Sequence, residues 1–357
     1  MNTDQQPAAK AGFSFSHLAL VIGAAMLVLR LLRGRNAVDF RGRTVLITGG
    51  GRGLGLSIAR QLAGDGANLV LVARSESELE SAKRELESEG VKILTVVADV
   101  TKKADCERAV KAASERFGTL DALVNNAGII QVGPLEHMSD DEFKADIDLH
   151  IYAPLWMSRA AMPYLKKGRQ GRIANIASFA GLVAVPHMAP YTASKFGMVG
   201  LSDAMRNEVA KDGVRVTTVC PGIIRTSSHV RATFKGRQKL EYKMFKLGAV
   251  SPLAVPAQTA GKLIVDAMRH GDPVLAFPAA IGWAGILYRL FPNLAGALLG
   301  IGVRFMPAPT DDEGDILLSG EQVEEETSAK PFSSNADKAA MANNELNGHA
   351  GAHTPRA

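Results

Sequence analysis

Cysteine is nearly absent. Cys106 and Cys220 are the two in 357 residues, which excludes a disulfide framework and a thiolate metal site and points to a reducing compartment. None of the eight histidines stands in a metal-ligand spacing, so no metal is expected. Aromatic residues make up only 6% of the chain, and lysines and arginines are scattered with no aromatic interleave, which argues against a nucleic-acid partner. No internal repeat is present. What remains is a chain with 46% apolar residues, enough for one large α/β core with attachments.

Charge is unevenly placed. Residues 309–357 carry ten acidic and three basic side chains against a whole-chain net charge of +5. The first 308 residues therefore hold about +12, a balance that suits proximity to a membrane surface. Phe13–Leu32 (FSFSHLALVIGAAMLVLRLL) is twenty largely apolar residues, the length that crosses a hydrocarbon core as a helix. Arg30, Arg33, Arg35, Arg41 and Arg43 cluster at its end. A secretory signal has its charge before the apolar run and a small-residue cleavage site after it, so 13–32 reads as a retained anchor behind a short tail, 1–12. The arginines predict a catalytic domain facing the cytoplasm. An amphipathic helix lying on the membrane is the alternative, since His17 and Gly23 dilute the run.

Past Arg43, apolar β-branched runs near 44–48, 68–73, 92–97, 120–124, 171–177, 214–219 and 274–277 alternate with helical stretches at 54–63, 76–89, 103–117 and 193–211. That alternation predicts right-handed βαβ units and a doubly wound parallel sheet. The first strand runs into TVLITGGGRGLG, residues 44–55, with five glycines in seven positions. A glycine-rich turn between a first strand and first helix lets a pyrophosphate approach the backbone at the helix N-terminus.

Five motifs recur in order: Thr48-Gly-x-x-x-Gly-x-Gly55, Asn125-Asn-Ala-Gly128, Ser178, Tyr191-x-x-x-Lys195 and Pro221-Gly222. Together they resemble the short-chain dehydrogenase/reductase family over about residues 40–277. The resemblance implies a Rossmann-type seven-stranded sheet, a nicotinamide cofactor and reversible hydride transfer between carbonyl and alcohol. It also implies cofactor contacts from Thr48, Gly49, Gly51, Arg52, Gly53, Leu54, Gly55, Asp99, Val100, Asn126, Ala127, Gly128, Tyr191, Lys195, Pro221, Gly222 and Thr226, and a homodimer or homotetramer.

Tyr191 and Lys195 are four apart, so on a helix they share a face. A tyrosine with a pKa near 10 is a poor base at neutral pH, and a nearby ammonium is expected to lower it. By resemblance Tyr191 exchanges a proton with the substrate oxygen, Lys195 also holds the nicotinamide ribose, and Ser178 binds the substrate oxygen. Where the family carries a catalytic asparagine, FKADIDLHIYAP places His150. That residue either supplies a main-chain carbonyl alone or titrates near neutrality within a proton relay.

NAD-preferring Rossmann sites carry an acid after the second strand. Here LVLVARS puts Arg74 at that point, and Arg52 lies in the glycine loop. Two guanidiniums suit a 2′-phosphate, so NADP(H) is the expected cofactor. The segment from Arg225 to Lys246 is rich in Arg and Lys and matches the family's mobile substrate lid; its charge meets an anionic substrate, lipid headgroups or solvent.

Residues 278–308 hold a second apolar stretch broken by Arg289 and Pro292-Asn293, which predicts two short helices that rest in a membrane interface or cap the pocket. Residues 309–357 are acidic with little apolar periodicity and read as a disordered tail. The sequence thus predicts a membrane-anchored, NADP-dependent oxidoreductase of a hydrophobic, lipid-like or steroid-like substrate. An idle nucleotide-binding scaffold at the membrane is the alternative, opposed by the intact Ser178, Tyr191 and Lys195.

Overall fold

The computed structural model describes residues 33–34, 37–327 other than 89, 169, 227, 252 and 253, and 343–344. The predicted anchor at 13–32 and the tail before it lie outside these residues. Seven parallel strands form the central sheet: β1 (Thr44–Thr48), β2 (Asn68–Ala73), β3 (Ile93–Val97), β4 (Ala122–Asn125), β6 (Arg172–Ile176), β7 (Arg215–Pro221) and β9 (Val274–Phe277). Their order across the sheet is β9-β7-β6-β4-β1-β2-β3. Three short strands, β5 (Gln131–Val132), β8 (Thr233–Phe234) and β10 (Leu318–Ser319), form a separate sheet, and Ile224–Arg225 pairs with Val255–Pro256.

The central strands β1 and β4 are buried along their whole length, which is why they read in sequence as apolar runs, while the edge strands β3 and β9 expose Val97 and Val274. Val45 and Ile47 join one core, under α1 (Gly53–Gly64), α2 (Glu76–Glu87) and α8 (Ala257–His270). Leu46 joins the opposite core, under α3 (Lys103–Phe117) and α5 (Ala153–Lys167). Helices α1 and α8 approach closely because Gly261 lacks a side chain: a Cβ there would stand 2.7 Å from Ser57 Oγ, which donates to the Ala257 carbonyl.

The sheet reverses direction of build between β1 and β4. Val45 lies beside both Leu69 of β2 and Ala122 of β4. In open α/β sheets, ligands bind beyond the strand C-termini at such a switch point. Two further helices border that crevice. Helix α4 (Asp140–Ile147) opens on a Ser139–Glu142 capping box and continues through a π-helical turn, Asp148–Tyr152, into α5. Helix α6 (Ala189–Val209) starts with Pro190 in its first turn.

The C-terminal region has two parts, of which the first differs from expectation. Residues 309–327 are folded: β10 pairs antiparallel with β8, with Leu318 opposite Phe234, and α11 (Gly320–Thr327) inserts the fully buried Val323 beside Phe234 and Tyr242. Its acids meet the basic lid, in which helix α7 (Gln238–Val250) lies. Lys239 is 3.3 Å from Glu326, Lys246 pairs with Glu324, and His137 Nδ1 is 2.8 Å from Asp315. Local composition reads as unfolded because these contacts come from a distant partner. Two of the lid's lysines, Lys239 and Lys246, are therefore engaged within the chain.

Second, α9 (Ala279–Leu290) and α10 (Pro292–Val303) are two short helices meeting at a 113° bend. Among the described residues no single helix is long and apolar enough to cross a membrane, while this bent pair passes that test by length and composition. The pair exposes Trp283, Leu290, Leu294 and Leu298, each 60–65% accessible.

Candidate active site

The glycine loop is fastened to β4 by one hydroxyl. Thr48 Oγ1 donates to the Val124 carbonyl at 3.3 Å and accepts from Asn126 N and Ala127 N at 2.9 and 3.1 Å. Asn126 returns the tie through Nδ2, which donates to the Thr48 and Gly49 carbonyls at 3.0 and 3.2 Å. Gly49 itself has φ of 65°, in the left-handed region that glycine adopts without strain. Gly55 opens α1 so close to the loop that a Cβ would lie 2.0 Å from the Gly49 oxygen.

Arg52 N-caps α1 without a side-chain bond, and no acid lies in the helix's first turn. Uncapped amides and the positive end of a helix at a switch point fit a diphosphate. Gly53 N donates to the Asn343 carbonyl at 2.9 Å, and Asn344 Nδ2 donates to the carbonyls of Gly51 and Glu78. The predicted disorder of 309–357 thus fails here too, because 343–344 seat on the loop. Leu54 packs against the core below.

Arg74 follows β2 and is exposed, with no hydrogen bond or ion pair among the described residues. Arg52 stands 3.3 Å from Glu78, which Arg231 also approaches at 3.4 Å. Asp99 accepts from Thr101 N and Oγ1 at 3.1 and 2.7 Å, and Val100 is buried beside it. At the far side of the crevice, Pro221 ends β7, Gly222 N donates to the Phe277 carbonyl, and buried Thr226 accepts from Ser228 N.

The predicted acid–base residues converge. Ser178 follows β6 in an extended conformation, and its Oγ accepts from Ala180 N at 3.1 Å. Its hydroxyl acts on the ionisation of the Tyr191 phenol, lowering it. Tyr191 and Lys195 project from α6, and Lys195 Nζ lies 5.5 Å from the Tyr191 ring centre while donating to the Ile176 carbonyl at 3.0 Å. His150, in the π-helical turn, meets Tyr191 edge-on with ring centres 5.5 Å apart. Gly128 leaves room for both: a Cβ there would lie 3.0 Å from His150 Nε2 and 3.7 Å from Lys195 Nζ.

Burial governs the ionisation of this group and reverses two expectations. It pushes Tyr191 up to about 12, against the lowering effect of Ser178. The ammonium does not offset this, because it is drawn to the Ile176 carbonyl beside the ring. Burial likewise brings Lys195 down to about 8. His150 is held well below its usual range, first by burial and then by Lys195, so its imidazole is neutral where a relay near neutrality would need it to titrate. Two contributors escaped the sequence reading. Asp146, one helical turn before His150, and Ser194, beside Lys195, complete the buried cluster; their only signal was the four-residue spacing of Asp146 and His150.

Such a site, at the switch point of a doubly wound sheet, defines a dinucleotide-binding oxidoreductase. A profile of the short chain dehydrogenase family matches residues 43–235. The oxidoreductase UcpA of Escherichia coli (strain K12) is 40% identical over 186 residues, covering 52% of this chain and 70% of that protein. L-Sorbose reductase from Gluconobacter frateurii, solved with NADPH and L-sorbose, is 26% identical and superposes with a TM-score of 0.60 over 67% of this chain and 95% of that one. A Burkholderia phymatum short-chain dehydrogenase/reductase solved with NAD shares the fold at 24% identity and a TM-score of 0.66, over 76% and 99% of the two chains. The chain belongs to the short-chain dehydrogenase/reductase family, and it is an oxidoreductase acting on alcohol or carbonyl groups.

Gly55→Ala tests the loop geometry. Its Cβ meets backbone rather than a flexible side chain, so the loop must move, at a cost of about 1–3 kcal/mol. A lower Tm together with loss of nicotinamide-cofactor binding in a fluorescence titration is the expected result; wild-type values for both would refute the close approach.

Proposed function

We propose that this chain is a membrane-associated, NADP(H)-dependent oxidoreductase that transfers a hydride between nicotinamide and the carbonyl or alcohol carbon of a hydrophobic, lipid-like or steroid-like substrate. The observation that carries the substrate class is the seating of the α9–α10 arm at the rim of the acid–base site. Gly285 of α9 packs so closely on Leu182, four residues past Ser178, that a Cβ would lie 3.0 Å from its Cβ. Ile281 packs equally closely on Gly222. An arm whose outer face is exposed tryptophan and leucine joins an apolar surface to the place where the substrate carbonyl docks.

The nicotinamide supplies the hydride when bound, and the protein's own residues handle the oxygen and the proton. Ser178 and Tyr191 bind the substrate oxygen. With Tyr191 pushed up to about 12, the resting site carries the phenolic proton that carbonyl reduction consumes. Lys195 holds the ribose beside it. Reduction is therefore the direction that the resting ionisation suits.

The cofactor reading rests on Arg74, an exposed guanidinium at the end of β2 where an NAD site needs a carboxylate. Arg52 contributes less, since Glu78 already neutralises part of its charge. The apolar run at 13–32 is the proposed anchor, with the arm resting in the interface.

Three outcomes follow from this reading. Tyr191→Phe is expected to keep NADPH binding and lose at least about a hundredfold in turnover of a hydrophobic carbonyl; near-wild-type turnover removes Tyr191 from its role. Arg74→Ala is expected to weaken NADPH by about 1.5–3 kcal/mol, roughly ten- to a hundredfold, with little effect on NADH. A wild-type preference for NADH would overturn that assignment. In carbonate extraction, full-length protein is expected to stay with membranes and a form lacking residues 1–38 to be released while still binding NADPH; release of the full-length protein would eliminate the spanning anchor.

A further inference from the structure

Asp146 has no partner that explains its burial. It sits near the end of α4, fully inaccessible, and neither carboxylate oxygen accepts a hydrogen bond among the described residues. Its nearest polar neighbour is His150 Nδ1, 3.4 Å from Oδ1. That nitrogen is engaged elsewhere. His150 Nε2 accepts from Ile129 N at 3.2 Å, so the neutral ring carries its hydrogen on Nδ1. Ser194 Oγ, 2.8 Å away, takes that hydrogen, because its own hydroxyl proton goes to the Tyr191 carbonyl at 2.9 Å. The chain of bonds from Ile129 through His150 and Ser194 to Tyr191 is complete without Asp146.

A buried carboxylate with no donor persists as an anion only beside a cation. The titratable groups facing it are His150 from the π-helical turn, Tyr191 and Lys195 from α6, and Cys220 from β7 beyond Lys195. His150 is neutral, and burial keeps Cys220 a thiol. Lys195 is then the available countercharge, and the two act on each other. After burial, Asp146 is the leading influence holding Lys195 up, and Lys195 the leading one holding Asp146 down. Asp146 also raises Tyr191.

We infer that Asp146 is a positioning residue for the reaction: a buried counter-ion that keeps Lys195 an ammonium and Tyr191 a phenol while touching neither substrate nor cofactor. The inference rests on Tyr191 and Lys195 being the acid–base pair. Burial brings Asp146 up to about 7 and Lys195 down to about 8. The two opposite charges thus coexist once pH rises through neutrality and Asp146 ionises, and their attraction is lost when Lys195 gives up its proton. Removing the negative charge releases both of its effects in one direction. Lys195 and Tyr191 then each lose a proton at lower pH, and carbonyl reduction needs both protons in place.

The test uses the full chain and NADPH-dependent reduction of decanal across pH. Asp146→Asn preserves shape and removes charge; the alkaline limb of kcat/KM is expected to move toward lower pH by about one unit, and Asp146→Glu to move it back. An unmoved limb with lower amplitude would mean a packing role alone and would overturn the inference. Carbon-13 NMR of labelled aspartate carboxyls in the wild-type protein reads the same pair without turnover. One aspartate is expected to titrate near neutrality and to shift to still higher pH in Lys195→Met. If every aspartate titrates in the ordinary carboxylate range, or the high one ignores Lys195→Met, the counter-ion is refuted even where Asp146→Asn does not fold. Failure of the acid–base reading appears separately, as Tyr191→Phe that still turns over decanal with these NMR transitions intact.

Discussion

The rest of the site hangs on one hydroxyl. Thr48 Oγ1 takes two backbone amides of β4's exit and gives its hydrogen to the Val124 carbonyl, so the outgoing chains of β1 and β4 are held at a fixed separation where the sheet reverses. The crevice between them is what the glycine loop lines on one side and Gly128 on the other. Loosening this point would misplace α1's amides and the floor beneath Lys195 together. A hydroxyl suffices because both strands are buried and parallel, and their unpaired backbone groups at the C-terminal edge need partners anyway.

Much of the fold was legible because parallel strands covered on both faces leave continuous apolar runs. The runs at 44–48, 68–73 and 274–277 match β1, β2 and β9 without adjustment. The placement of Ser178, Tyr191 and Lys195 in one cluster was legible for the same reason: each lies at or just past a strand end or on one helical face. Their ionisation was not. Sequence puts an ammonium four residues from a phenol and suggests a lowered tyrosine. In the fold, desolvation acts on both groups and the Ile176 carbonyl takes the ammonium's hydrogen bond, so the sign for Tyr191 reverses.

The C-terminal strap was illegible for a different reason. Residues 309–327 offer one deep apolar anchor, Val323, and no helical stripe, so no local pattern marks them as folded. Their stability comes from β10 pairing with β8 and from acids meeting Lys239 and Lys246 of the lid. Surface pairs of this kind are individually weak; the backbone pairing and the buried valine carry the attachment, while the charges set which surface the strap accepts. The basic lid and the acidic stretch to residue 327, which look in sequence like separate features, pack together and share two ion pairs.

That pairing bears on how the site would meet the apolar substrate proposed for it. With Lys239 and Lys246 paired to the strap and Lys235 2.8 Å from Glu142, three of the lid's lysines sit at internal partners. Exposed apolar area lies on α9 and α10, beyond Leu182 and Gly222, and on the lid helix at Leu240, Met244 and Leu247. A site whose Tyr191, Lys195, His150 and Asp146 are all buried gains from an approach that excludes water, because each ionisation described here is set by desolvation before any neighbour. An apolar arm at the rim and a dry acid–base cluster behind it are therefore one design. The arm keeps the entrance low in polarity, and low polarity keeps the Tyr191 proton in place until a carbonyl oxygen arrives to take it.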